Sequence, residues 1–80
     1  MNVVWRVMRN TSRIANGATR WKVSYGQPLK SNLRGMWYWS AIWESLHPTK
    51  EDALNSPKPK MVNGNPVVGQ WNGTWEYIKD

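Results

Sequence analysis

The chain has 80 residues, no cysteine, one histidine and a formal net charge of +6. This length allows one domain at most, and the composition excludes disulfides and leaves almost no ligands for a structural zinc site. No stretch approaches the ~20 apolar residues of a membrane-spanning helix. The first nine residues are too few and too charged for a signal peptide, so we expect no membrane partner and a cytoplasmic location.

Two segments near the start of the chain, residues 3–9 and 19–25, alternate between apolar and polar side chains. Period-two alternation with β-branched residues predicts strands. If the two strands are neighbours, one face is apolar and the other is basic. The residues concerned are Trp5 and Trp21 toward the core, and Arg6, Arg20 and Lys22 on the exposed face.

The dipeptide Asn-Gly occurs at 16–17, 63–64 and 72–73. It is a strong signal for a two-residue hairpin turn, since both positions accept a positive φ. Three such turns favour an antiparallel sheet. Residues 67–78 are predicted to form a terminal hairpin around the last turn, with Trp71 and Trp75 on opposite faces.

Residues 32–46 fit either a strand or a helix. A strand would put Trp37, Trp39, Ala41 and Trp43 on one face, whereas a helix would align Met36, Trp39, Trp43 and Leu46. Aromatic density and Gly35 favour the strand.

Residues 49–55 are predicted to form a short helix with Thr49 as its N-cap and two acids in its first turn. Residues 55–66, rich in proline, are predicted to be an exposed connector. We therefore expect one α+β domain over residues 1–80, with a small antiparallel sheet of four to five strands and one short helix packed on one face.

Catalysis has little support in the sequence. His47 is the only histidine, and nothing in the pattern brings an orienting carboxylate and a nucleophile to it. Helix capping accounts for Glu51 and Asp52 without a metal or acid–base role. We expect no enzymatic activity, no cofactor and no metal.

Charge is distributed unevenly. Residues 1–43 contain seven of the eleven basic residues and no acid, so the charges of the two parts are +7 and −1. An asymmetry of this size predicts one basic surface if the fold keeps those residues together.

Basic residues interleaved with aromatics are typical of nucleic-acid binders, in which arginine contacts phosphates and exposed rings stack on bases. The first hypothesis is a small, basic, non-catalytic nucleic-acid-binding module. Its expected phosphate contacts are Arg6, Arg13, Arg20, Lys22 and Arg34, and its expected stacking residue is Tyr38.

The alternative hypothesis is a protein-binding accessory or inhibitor, for example one encoded by a virus to capture a host protein. Tryptophan, tyrosine and arginine are enriched at binding hot spots, and the seven tryptophans exceed what one thin core requires. An acidic protein surface would then be the partner. Formation of a homodimer is a further way to stabilise so small a core.

Residues 19–55 resemble the sheet-plus-helix layout of phage integrase arm-binding domains and plant Apetala-type DNA-binding domains. The resemblance rests on aromatic-basic strands followed by Pro48-Thr49-Lys50-Glu51-Asp52-Ala53-Leu54. It implies binding of DNA through the sheet, which those families insert in the major groove. The helix here is shorter and the proline-rich connector departs from the pattern.

Overall fold

A computed structural model describes residues 1–31, 35–71 and 73 of the chain. The elements of this part are, in chain order, β1 (Val3–Arg9), β2 (Trp21–Lys30), β3 (Trp37–His47), α1 (Lys50–Asn55), β4 (Met61–Val62) and β5 (Asn65–Gln70). The predicted α+β class, with up to five strands and one short helix packed on the sheet, is confirmed.

The five strands lie in the order β3-β2-β1-β5-β4. Strand β2 pairs antiparallel with both β1 and β3, as the alternation predicted. Strand β5, however, runs parallel to β1, so the expectation of a wholly antiparallel sheet is wrong and the sheet is mixed. The parallel pair arises because α1 and β4 carry the chain back across the sheet before β5, and parallel strands need such a crossover.

Side chains divide between two faces of the sheet. The helix face carries Val23 and Tyr25, which form the core cluster with Ala53 of α1 and Val62 of β4. Trp5 and Trp21 pack against that cluster, which confirms their predicted direction; Val7, Ile42 and Val67 join them. The other side of β1, β2 and β3 is called the opposite face below.

Residues 37–47 form a strand, which resolves the choice between strand and helix. Its alternation does not run unbroken, because the pairing moves from Tyr25–Trp43 to Gly26–Ala41 and leaves Ile42 as an extra residue. Such a bulge reverses the side-chain phase. Trp43 therefore lies on the helix face against Tyr25, with ring centroids 5.3 Å apart. The predicted single face of four residues is wrong in this respect.

Thr49 caps α1 as predicted, since its Oγ1 accepts a hydrogen bond of 3.0 Å from the backbone N–H of Asp52. Among the predicted turns, Asn63 and Gly64 have φ values of 49° and 79° and join β4 to β5 as a two-residue hairpin. Gly17 has no positive φ, so Asn16 and Gly17 belong to a longer loop.

The predicted exposed connector at 55–66 is only partly correct. Val62 is 5% exposed and belongs to the core, because β4 and the start of β5 lie in this segment. Lys58 is half-buried beneath the end of α1. The second strand of the predicted terminal hairpin, at 74–78, lies outside the described residues. Within the described ranges, no helix has the length and apolar character needed to cross a membrane.

Candidate nucleic-acid interface

Arg6 lies on the opposite face, beside two indole rings that also contact each other. Its Cζ is 4.4 Å from the centroid of Trp39 and 5.2 Å from that of Trp71. The two rings are 5.4 Å apart, and the indole N–H of Trp39 donates a 2.8 Å hydrogen bond to Ser24 Oγ. Guanidinium groups stack favourably on indole faces, so Arg6 is a packing residue of this face.

The burial of Arg6 has electrostatic consequences. Its Nε is buried and has no hydrogen-bond partner among the described residues. Burial lowers the pKa of the guanidinium, yet arginine stays charged at neutral pH. We predicted from the sequence that Arg6 lies on a free basic surface. Two indoles instead contact it, and they come from β3 and from the residue after β5, so a pattern within β1 cannot show them.

Lys22 is also engaged within the sheet. Its Nζ lies 2.7 Å from Glu44 Oε2, and its side chain is 20% exposed. Ser24 and Glu44 are partners in the β2–β3 ladder, which puts Glu44 on the same face as Lys22. Two of the predicted phosphate contacts, Arg6 and Lys22, are therefore occupied within the fold.

The accessible arginines lie at one end of the sheet, in the segment that joins β1 to β2. We call residues 9–20 the basic loop. Arg9, Arg13 and Arg20 are all exposed. The backbone N–H of Asn10 donates to the carbonyl of Arg20 at 2.9 Å, so Arg9 and Arg20 flank the base of the loop. Arg13 lies three positions after Asn10, a span of at most ~11 Å, so the three arginines are attached to one short stretch of backbone.

The basic loop is held by its own polar side chains. At its base, Asn10 Nδ2 donates to the Thr19 carbonyl at 2.7 Å, and Asn10 Oδ1 accepts from the Ser12 N–H at 3.1 Å. At its far side, Asn16 Oδ1 accepts from the Ala18 N–H at 2.9 Å. Short polar side chains of this kind stabilise turns by bonding to nearby backbone groups. The loop therefore presents its arginines from a defined backbone.

Arg13 and Ile14 occupy the corner of this loop. The N–H of Ala15 donates to the Ser12 carbonyl at 3.1 Å, which closes a turn with Arg13 and Ile14 as its central residues. Ile14 is 88% exposed, the highest value among the exposed large hydrophobic residues. A groove of about 370 Å³ runs beside the loop, lined by Ile14, by other loop residues and by Leu46 of β3.

Tyr38 lies far from the basic loop. It pairs with Leu29 near the end of β2, whereas the loop meets the start of β2 at Trp21. Eight residues of strand separate these points, about 26 Å. Tyr38 is 49% exposed and Trp37 42% exposed, and Lys30 Nζ lies 6.0 Å from the Trp37 ring. We call Trp37 and Tyr38 the aromatic end. Arg34 lies outside the described residues.

One pair of groups has the chemistry of a nucleophile and a base: Ser45 Oγ lies 2.8 Å from His47 Nε2. A hydrolytic triad also needs a carboxylate on the other imidazole nitrogen. In the described part of the chain, no hydrogen bond joins His47 to a carboxylate and no group of three metal-ligating side chains occurs. The pair carries no catalytic assignment.

Arg9 and Ile14 are residues of the candidate interface that the sequence patterns did not indicate. Arg9 ends a predicted strand, and its exposure depends on where β1 stops. A role for Ile14 could not be predicted, because an isolated apolar residue in a loop belongs to no periodic pattern. The self-capping pattern of Asn10, Ser12 and Asn16 is the signal that could have identified a rigid loop.

Comparison of the chain with known protein families, with curated proteins and with solved structures found no match.

Proposed function

We propose that this protein is a non-catalytic nucleic-acid-binding module whose contact surface is the basic loop. The observation that carries the proposal is the grouping of Arg9, Arg13 and Arg20, all exposed, on one hydrogen-bonded loop. Arginine forks bind phosphate oxygens in pairs, and a preorganised loop loses little conformational entropy on binding.

The positions of the described carboxylates support this proposal. Glu44 is paired with Lys22, and Glu51 and Asp52 lie in the first turn of α1. No ion pair involving Arg9, Arg13 or Arg20 is found in the described ranges. Arg9 Cζ lies 5.7 Å from the ring of Trp21, which is an uncharged partner. The charge of all three arginines is therefore available to a polyanion, which would release counterions from its phosphates on binding.

The proposal differs from the mechanism that the resemblance implied. Of the three basic residues expected on the exposed face of the sheet, Arg6 stacks on Trp39 and Lys22 pairs with Glu44. The proposed contact is therefore the loop at the end of the sheet. The proposed setting is the cytoplasm, or the host cytoplasm if a virus encodes the chain.

Fluorescence anisotropy with a labelled duplex of about 20 base pairs tests the proposal. We expect saturable binding at low salt by the full chain, and weaker binding by the variant R13A/R20A. The matched control is K60A, which removes an exposed charge beside β4. Equal affinity of the double variant and wild type would overturn the assignment to the basic loop.

A second candidate function has an observation of its own. Strand β3 is an edge of the sheet formed by the described strands, and its exposed large hydrophobic residues are Trp37, Tyr38, Trp43 and Leu46. Long apolar edge strands are templates for pairing with another chain. This favours the accessory or inhibitor role, with a host protein or a second copy as the partner.

The two candidates separate in one capture experiment. Immobilised wild type, W43A and R13A/R20A are exposed to host lysate with and without nuclease. A specific protein that survives nuclease and is lost with W43A supports the edge-strand function. Capture that nuclease abolishes, and that R13A/R20A also abolishes, supports the basic-loop function.

A further inference from the structure

We propose that Ile14 is a wedge that enters the minor groove of double-stranded nucleic acid and kinks it by partial insertion between base pairs. This inference deepens the proposed function and rests on it, because it names the substrate class of the basic loop as a duplex. Apolar side chains, isoleucine among them, serve as wedges in proteins that bend DNA from the minor groove.

The position of Ile14 carries the first step. It is a central residue of the Ser12–Ala15 turn and is 88% exposed, so its side chain projects from the corner of the loop. The next residue back, Arg13, is exposed beside it. An apolar tip next to a cation matches a groove whose floor is stacked bases and whose walls are phosphates.

The hydrogen bonds within the basic loop are the second observation that supports a wedge. A wedge must keep its position while it separates stacked bases, so its backbone needs support. The N–H of Ile14 donates to Ser12 Oγ at 3.3 Å, and Asn10 Oδ1 in turn accepts from the N–H of Ser12 at 3.1 Å. These bonds link the tip to the base of the loop, where Arg9 and Arg20 can contact phosphates on either side.

The distance between the aromatic end and the basic loop favours a duplex over a single strand as the ligand. Single-strand binders combine a basic groove with rings on which successive bases stack. Here the exposed rings of Trp37 and Tyr38 lie about 26 Å along β2 from the basic loop. The indole at the base of the loop, Trp21, is half-buried and lies 5.7 Å from Arg9 Cζ. Ile14, next to Arg13, is aliphatic and offers no stacking surface. Insertion between paired bases is the contact that such a side chain can make.

The test measures the end-to-end distance of a duplex of about 25 base pairs, labelled at both ends for energy transfer and carrying a central TA step. TA steps unstack readily, so they favour a kink. Wild type should bend this duplex by about 20–90°, the range of minor-groove wedges. I14A should lose the bend while keeping the salt dependence of binding, because its arginines are intact.

The matched control is V68A, which truncates an aliphatic side chain that is 49% exposed on β5. Far-ultraviolet circular dichroism checks that both variants fold. A bend that persists in I14A, or binding by wild type without any bend, would overturn the wedge and leave the proposed function standing. Absence of salt-dependent binding by wild type would overturn both.

Discussion

The guanidinium of Arg6 stacks on the indole of Trp39, with Cζ 4.4 Å from the ring centroid. The contact joins β1 to β3 across the whole width of β2, since Arg6 pairs with Ser24 and Ser24 pairs with Glu44 on the far side. The ring of Trp71 lies 5.2 Å from the same Cζ and 5.4 Å from the ring of Trp39, so the three groups pack as one cluster. A residue that composition alone assigns to binding therefore stabilises the fold.

The stacking of Arg6 predicts a loss of stability without a loss of binding. R6A should lower the free energy of unfolding by about 1–2 kcal/mol, the range for a partly desolvated cation–π contact. Urea unfolding followed by tryptophan fluorescence measures this. The comparison variant R13A should unfold like wild type. An R6A protein of unchanged stability that binds duplex DNA less tightly would contradict the account.

The close approach of Gly26 to β3 beside the bulge predicts that only glycine fits at position 26. A Cβ at this position would overlap the carbonyl oxygen of Ser40 and would lie 2.8 Å from its carbon and 2.9 Å from Ala41 Cα. Because both neighbours are backbone atoms, G26A must move β3 away from β2. We expect a loss of at least about 2 kcal/mol in the free energy of unfolding, typical of overpacked sites.

The control for that substitution is G17A, since a Cβ at Gly17 meets no atom within 4 Å and its φ is negative. Thermal denaturation of the two variants should separate them clearly. Similar melting temperatures for G26A and wild type would show that β2 and β3 are not held as closely as described.

The contacts of Lys58 indicate that the proline-rich segment contributes to the stability of the fold. Its Nζ donates to the carbonyl of Ala53 at 2.9 Å and to that of Leu54 at 3.0 Å, and it lies 4.5 Å from the centroid of Trp5. A cation at a helix C-terminus satisfies carbonyls that lack intrahelical partners. K58M keeps the aliphatic stem and should cost about 1–3 kcal/mol.

Lys60, an exposed lysine of the same segment, provides the comparison. K60M removes the same charge from a lysine that is exposed to solvent. Chemical denaturation of the two variants should therefore differ, with K60M close to wild type. Equal midpoints would mean that the Lys58 contacts contribute nothing net.

Local sequence patterns predicted the features of the fold that depend on residues close together in the chain. Alternation gave β1 with its observed bounds, Thr49 predicted the start of α1, and Asn63 and Gly64 formed the expected two-residue turn. The parallel pairing of β5 with β1 could not be predicted in this way, because it depends on the path of the chain across the sheet.

At the candidate site too, local features could be predicted and contacts between strands could not. Arg13 and Arg20 are exposed as the sequence suggested, because they lie in or beside a loop. The partners of Arg6 and Lys22 come from β3 and from the residue after β5, and the bulge at Ile42 sets the register of Trp39. No single-strand pattern contains that information.

The dependence of binding on salt tests the central claim most directly. Three phosphate contacts from the basic loop predict a slope of about −2.7 for log affinity against log salt on duplex DNA, and R13A/R20A should reduce this to about −0.9. K60A should keep the wild-type slope. A double variant with the wild-type slope, or a wild type whose binding is insensitive to salt, would contradict the account.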